Sequence, residues 1–429
     1  MRRATASLVL VLGCSQVSLA ADNFVISVST PGNATVGFST AEEAFDSLGQ
    51  QKLSTFVPYT GVEVVLVGAN LRGLSVAMAY PIVGNPRLDL FIPSLGIQRT
   101  FIGATRDDSL ELLKDFFKSG DEASRIMREL VKISPSDPLA GNPNSLQSRM
   151  VAGTFDRSFR SLVSKLRAVD DSGGQAAALE LKSWNVAAAG ASVPLPEGEP
   201  AAPARIPSMS AGLTVSSYKQ AGVRGTTVSV PLSYAFPPDP ARPFSVDGEL
   251  QYTNTEGAKA YNVTLGGAYR ISVSDRWFLI PSANYGITGS EDLASFGHIV
   301  SVSLTSAFRI YESPQFSLWM GNGVSYLRTL KSSFDDYSFD PEIRNTAFVN
   351  GLVLSTPLPM LGANTWIEYS FTDTRYTGTD LFNRRYDEIG VAVGRSSSSR
   401  SNPSYWKIGA SYLNGTHSRG GAVNLHYSF

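Results

Sequence analysis

The sequence predicts a closed antiparallel β-barrel of about twelve strands that spans a lipid bilayer, preceded by a small α+β domain. Three observations carry this expectation. From residue 208 onward the chain is a succession of roughly ten-residue segments in which apolar and polar residues alternate, with turn formers between them. After the first twenty residues no apolar run approaches the ~18 residues that a membrane helix needs. The last seven residues, Val423 to Phe429, are themselves such a strand, with Val423, Leu425, Tyr427 and Phe429 on one face and Asn424, His426 and Ser428 on the other. A chain that crosses lipid without helices must pair every backbone polar group between strands, and only a closed barrel does that.

The N-terminus reads as a secretory signal. Met1-Arg2-Arg3 is basic, Ala4 to Gly13 is apolar, and Ser18-Leu19-Ala20 offers small residues for cleavage, so residues 1–20 are expected to be removed. Val11-Leu12-Gly13-Cys14 is a rival lipoprotein-like cut, although Leu12 is bulky for it. If cleavage follows Ala20, the single cysteine leaves with the signal, and with it any disulfide or thiol chemistry.

Residues 22–186 lack barrel-like strands in series and read as an α+β domain, expected in the periplasm. Phe24–Val28, Val62–Val67, Leu74–Tyr80 and Leu88–Ile92 have strand composition. Asp107 or Asp108 can cap a helix that carries Leu110, Leu113, Phe116 and Phe117 and continues to Val131. Ser134 to Pro143 is rich in turn formers and stops it. A second amphipathic helix is expected from about Ser145 to Val169, using Leu146, Met150, Phe159, Leu162, Val163 and Leu166. Residues 187–207, with Pro194, Pro196, Pro200, Pro203 and Pro207, read as a semi-rigid linker.

Residues 208–429 are the barrel. Val228, Val230, Leu232 and Tyr234 share one face against Thr227, Ser229 and Ser233; similar strands run through Tyr261–Ile271, Val300–Ile310, Phe316–Tyr326, Ile367–Phe371, Ile389–Val393 and Trp406–Tyr412. Weaker segments near 209–217, 244–253, 276–286 and 346–355, with the terminal strand, bring the number to about twelve. Tyr234, Phe236, Trp277, Tyr285, Tyr326, Trp406, Tyr412, Tyr427 and Phe429 stand near strand ends, as interfacial girdles do. The two longest connections, near 328–344 and 373–384, fall on the same side, which an even strand number makes the external one.

The tail Val423, Leu425, Tyr427, Phe429 resembles the C-terminal signal of bacterial outer-membrane β-barrels. That resemblance implies the outer membrane of a Gram-negative bacterium, its lipid, and the barrel-assembly machinery as partners. The order of parts, with a helix near 145–169 ahead of a C-terminal barrel, also resembles autotransporters. The barrel of about 220 residues is short for that family and the N-terminal domain has no repeats.

Little in the chain points to catalysis. His298, His417 and His426 have no metal-ligand spacing, there is no Gly-x-Ser-x-Gly elbow, and a net charge of −1 gives no reason for nucleic acid as a partner. No enzyme activity, metal or other cofactor is expected. The expected lumen face carries Asp247, Glu249, Arg270, Arg309, Glu368, Glu388 and Lys407 among Ser, Thr and Gly. Two readings stand: a polar channel whose charges select a small polar solute, or charges that pair and close the interior. The expectation is a narrow transport pore or a membrane anchor for the N-terminal domain. The alternative is an autotransporter-type barrel that exports or displays that domain at the cell surface.

Overall fold

The structure, a computed structural model, describes residues 22–118, 120–171, 209–236, 244–334, 337–397 and 404–429. The signal segment with Cys14, and the linker at 187–207, lie outside the described residues.

Six strands open the fold: β1 (Phe24–Ser29), β2 (Asn33–Phe38), β3 (Val65–Leu71), β4 (Leu74–Tyr80), β5 (Leu88–Ile92) and β6 (Ile97–Phe101). They form one antiparallel sheet in the order β2-β1-β3-β4-β5-β6. Alternation decides its buried face: Phe24, Ile26 and Val28 on β1, Val65 and Val67 on β3, and Val76 and Met78 on β4 are all buried. Short helices α1 (Ala41–Asp46) and α2 (Gln50–Leu53) and two longer ones, α3 (Arg106–Lys118) and α4 (Gly120–Ile133), cover that face with Ala44, Leu53, Leu113, Ile126 and Leu130. The sequence suggested one continuous helix here. Gly120, at φ 96°, breaks it into two, because a left-handed residue cannot continue a helix.

The barrel begins at β7 (Met209–Gln220) and continues through β8 (Val223–Ala235), β9 (Phe244–Thr255), β10 (Ala258–Tyr269) and its short extension β11 (Ile271–Ser274), then β12 (Trp277–Ser290), β13 (Ser295–Glu312) and β14 (Ser317–Leu330). A small hairpin, β15 (Ser332–Phe334) and β16 (Tyr337–Phe339), stands apart from the wall. The wall resumes with β17 (Arg344–Pro357), β18 (Thr365–Gly378), β19 (Arg385–Ser396), β20 (Tyr405–Gly415) and β21 (Ser418–Ser428). Pairing of β21 with β7 and of β10 with β12 closes a ring of twelve long antiparallel strands. At the seam Met209 and Phe429 exchange both backbone hydrogen bonds, at 3.0 and 2.9 Å.

The two faces of this wall are chemically opposite. Outward residues such as Leu265, Val302, Ile389 and Val423 are 55–60% exposed and apolar, while inward Thr288, Ala307 and Ser355 are fully buried. An apolar exterior of this extent has lipid as its natural solvent. Aromatic pairs Phe236–Phe244, Tyr311–Phe316 and Tyr427–Phe429, with centroids 5.6, 4.8 and 5.4 Å apart, ring the end that carries the barrel's termini. No described helix is long and apolar enough to cross a membrane.

Candidate functional site: a helix in the lumen

The sequence suggested that residues 146–171 form part of the N-terminal domain at 22–186; the structure places them elsewhere. They run through the barrel as α5 (Leu146–Phe155), one π-helical turn (Asp156–Arg160) and α6 (Ser161–Asp171). At about 1.5 Å per residue the segment is roughly 39 Å long, more than the ~30 Å of a bilayer core. Ser145 caps its start, its hydroxyl accepting from the Ser148 amide. Its apolar face, which amphipathicity alone could have placed against any sheet, meets the inner wall. Phe155 and Phe159, 5.2 Å apart, lie where the wall has Gly321, Gly323 and Gly351. A Cβ at Gly321 would stand 2.6 Å from the Phe159 ring, so only glycine lets the helix approach this closely.

Charged contacts fix the helix in the same register. Arg149 binds Glu249 at 2.6 Å and Ser229 at 3.2 Å. Arg157 lies 3.6 Å from Asp247 and 3.8 Å from Glu249. Arg160 donates to Glu388 at 3.1 Å and to Thr372 at 2.7 Å. Ser164 donates to Glu368 at 2.9 Å, and Glu368 also accepts from Trp366 Nε1 at 2.8 Å and Lys407 at 3.1 Å. Neutral bonds from Asn284 to Thr154 (3.1 Å) and from Asn345 to Gln147 (3.1 Å) complete the set. The wall's carboxylates thus meet cations mostly carried by the helix. Removing one member of such a buried pair leaves a charge that costs about 3–5 kcal/mol.

Of the seven residues expected to line the lumen, Asp247, Glu249, Glu368, Glu388 and Lys407 are in this network. Arg270 lines a cavity between helix and wall. Arg309 lies apart, stacked over Trp319 at 5.3 Å and bound to Glu312 at 2.6 Å and the Asp275 carbonyl at 2.9 Å. Cross-lumen pairing between wall residues was one of the two expectations for these charges, beside channel selectivity. It did not include Arg149, Arg157 and Arg160, whose only signal was three arginines on a helix opposite a wall with surplus carboxylates.

The helix enters at the barrel end opposite Met209 and Phe429, where the N-terminal domain is seated. Asn23 Nδ2 donates to the Thr255 carbonyl (3.1 Å), the Ala41 amide to Asp292 (2.8 Å), and Phe382 and Asn383 amides to Val131 and Gly141 (3.1 and 3.0 Å). Arg128 reaches the Pro341 carbonyl at 2.7 Å and Glu342 at 2.8 Å. Ala258 and Leu293, from hairpin tips of the barrel, are buried in the domain's own core. Residues 134–145 join the two bodies and are almost wholly buried, although Ser134 to Pro143 is rich in turn formers. Their polar groups are satisfied locally. Asp137 accepts from the Leu139 and Ala140 amides at 2.9 and 3.3 Å and pairs with Arg72 at 3.2 Å, both side chains being at most 2% exposed. The domain therefore sits on the rim that carries the two longest connections, not beside the chain's barrel termini.

The histidines are dispersed. His426 faces inward and bonds the Tyr405 hydroxyl at 3.2 Å, His417 meets the Phe382 carbonyl at 2.9 Å, and His298 bonds Tyr285. Among the described residues no group of three His, Cys, Asp or Glu side chains is arranged to hold a metal ion.

No protein-family model matches the sequence, and no curated protein matches it either. Solved structures similar in fold include the β domain of the Bordetella autotransporter BrkA, at 13% identity and a TM-score of 0.40, covering 52% of this chain and 98% of that one. The translocator domain of the autotransporter NalP from Neisseria meningitidis gives 12% identity and 0.39, covering 52% and 88%. The KdgM porin in complex with disordered oligogalacturonate gives 12% and 0.31, covering 51% and 99%. With its closed ring of strands and apolar exterior, the chain has the fold of an outer-membrane β-barrel.

Proposed function

We propose that this protein is a membrane anchor that displays its N-terminal domain on the external face of the outer membrane, with its own helix as the plug of the barrel. The observation that carries this is the course of the described residues. A domain is seated on the loop rim, the helix descends through the lumen to Asp171, and the first and last residues of the barrel share the opposite rim. An even-stranded barrel with both termini on the periplasmic side puts that loop rim outside. The periplasmic location expected from the sequence gives way to the external one in this reading. The role is one of anchoring and display, and the solute pore recedes because the lumen is occupied.

Cysteines at two exposed positions test the side directly. Val83→Cys, in the domain, is expected to react with an impermeant maleimide on intact cells. Gln315→Cys, in the turn at the terminal rim, is expected to react only after the outer membrane is permeabilised. The reverse pattern would put the domain in the periplasm.

The reading keeps Val423, Leu425, Tyr427 and Phe429 as the barrel-assembly signal. All four point outward, and Phe429 also supplies two seam hydrogen bonds and stacks on Tyr427. Deleting Phe429 is expected to lower the amount of folded barrel several-fold, seen as loss of the heat-modifiable band on gels; unchanged yield would leave those residues without that role.

A further inference from the structure

The helix does not fill the lumen evenly. It leans by Phe155 and Phe159 on the part of the wall that carries Gly321, Gly323 and Gly351. On its other side Gly153, Arg157 and Ser161 line a cavity of about 270 Å³ bounded by strands β7–β10 and β19–β21. The lining reaches Ser210, Phe236 and Phe244, at the rim that carries Met209 and Phe429, and on β7 it ends at Tyr218. From Ser210 to Tyr218 the strand runs roughly 27 Å, at ~3.4 Å per residue. With the usual tilt of barrel strands that is about 20 Å along the axis, some two-thirds of a bilayer core.

The strand register shows why the cavity runs here and why it stops. Inward residues of β20, β21, β7 and β8 stand in rows across the wall, and the row Ser411–Ala422–Ser216–Thr227 is made of small side chains. The next row toward the loop rim is Leu413–Gly420–Tyr218–Gly225, where Leu413 and Tyr218 are 3% and 5% exposed. Glycines flank Tyr218 on both neighbouring strands, and a Cβ at Gly420 would stand 2.7 Å from its ring. Asn144, from the buried connection, lies over Gly225, 2.7 Å from where a Cβ would be. Bulk thus enters this side of the lumen at one layer. We propose that the intact protein holds a water-filled half-channel, open at the terminal rim and sealed by the Tyr218 layer, which admits water and small ions or molecules beside the helix. Its volume over that length corresponds to a file of on the order of ten waters at ~30 Å³ each, too narrow for a sugar chain or a peptide. The half-channel rests on the helix being the plug of the barrel, and is independent of which side displays the domain.

The test uses the purified full-length chain in detergent, carrying single cysteines, with methyl methanethiosulfonate as a small uncharged probe and mass spectrometry to follow its addition. The micelle covers the outer face of the wall, so the probe reaches the lumen through its ends. Thr214→Cys and Ala422→Cys, in the cavity, are expected to react about tenfold faster than Gln220→Cys, one inward position beyond Tyr218, which reacts only through local opening. Tyr218→Ala should raise the rate at Gln220→Cys severalfold, and Tyr218→Phe should leave it low. Ser233→Trp, which lines the cavity near the terminal rim, should slow Ala422→Cys. Heat-modifiable migration confirms that each variant is folded. Equal rates at Thr214→Cys, Ala422→Cys and Gln220→Cys would overturn the half-channel. A rate at Gln220→Cys that Tyr218→Ala does not move would overturn the seal, and an Ala422→Cys rate untouched by Ser233→Trp would overturn entry from the terminal rim. Val349→Cys, buried on the part of the wall that the helix covers, separates this failure from failure of the plug. Slow reaction there and in the cavity would overturn the half-channel alone, whereas fast reaction there would overturn the plug and the half-channel together.

Discussion

Replacing Asp137 by alanine is expected to destabilise the seating of the N-terminal domain by about 3–5 kcal/mol, because it strands the Arg72 guanidinium where water does not reach. Arg72 occupies the tight β3–β4 turn in a left-handed conformation, φ 54°, with its amide on the Asn23 carbonyl at 2.7 Å. Asp137 also accepts from two backbone amides, so the substitution orphans three donors at once. Asp137→Asn keeps an acceptor for the amides and loses the charge, and should fall between alanine and wild type. The pair variant Arg72→Met with Asp137→Leu should recover part of the loss, since an apolar pair removes the stranded charge but leaves the Leu139 and Ala140 amides without their acceptor. Limited proteolysis within residues 120–145, together with thermal unfolding, would follow these changes. A loss under about 1 kcal/mol for Asp137→Ala would show that water reaches the pair.

The parts of the molecule differ in how plainly the sequence displays them, and the reason is physical. Barrel strands are legible because lipid on one side and a polar lumen on the other impose a period of two on each strand, so even the weak segments near 244–253 and 346–355 correspond to β9 and β17. The lumen helix is legible as a helix but not as a plug. Leu146, Met150 and Phe159 would pack as well on the N-terminal sheet as on the barrel, and amphipathicity does not say which apolar surface is the partner. The features that fix the partner lie on the wall and show only in the fold: glycines at 321, 323 and 351 on an inward face, and carboxylates at 247, 249 and 388 that the helix arginines meet. Residues 134–145 were illegible for a different reason. Ser, Asp, Pro and Asn in series normally mark a solvated turn, yet here Asp137 and Asn142 satisfy the segment's own backbone, which lets it be buried. Gly141, at φ 90° with the Val131 carbonyl close by, allows the approach that lets Phe382 and Asn383 of the barrel rim bind there.

Deleting residues 22–171 is expected to turn a silent protein into a conducting one. An α-helix with its side chains is about 10–12 Å across, and a twelve-stranded barrel lies between filled eight-stranded walls and open sixteen-stranded channels. One helix is therefore enough to occupy most of the lumen, and in the full chain the domain also covers the end that carries the longest connections. In planar bilayers the full chain should give no steps, while the barrel alone should give discrete ones. The ion preference of those steps follows from which charges the deletion removes. Arg149, Arg157, Arg160 and Lys165 leave together with Asp156, whereas Asp247, Glu249, Glu368 and Glu388 remain with Arg270, Arg309 and Lys407. Arg309 is tied to Glu312 near the terminal rim, so the middle of the emptied lumen is acidic, and the channel should favour cations. Glu249→Gln with Glu388→Gln in the truncated barrel should shift the reversal potential toward anions. Steps of equal size from the full chain would mean that the helix leaves the lumen readily. A truncated barrel that is heat-modifiable but silent would mean that the wall itself, rather than the helix, closes the passage.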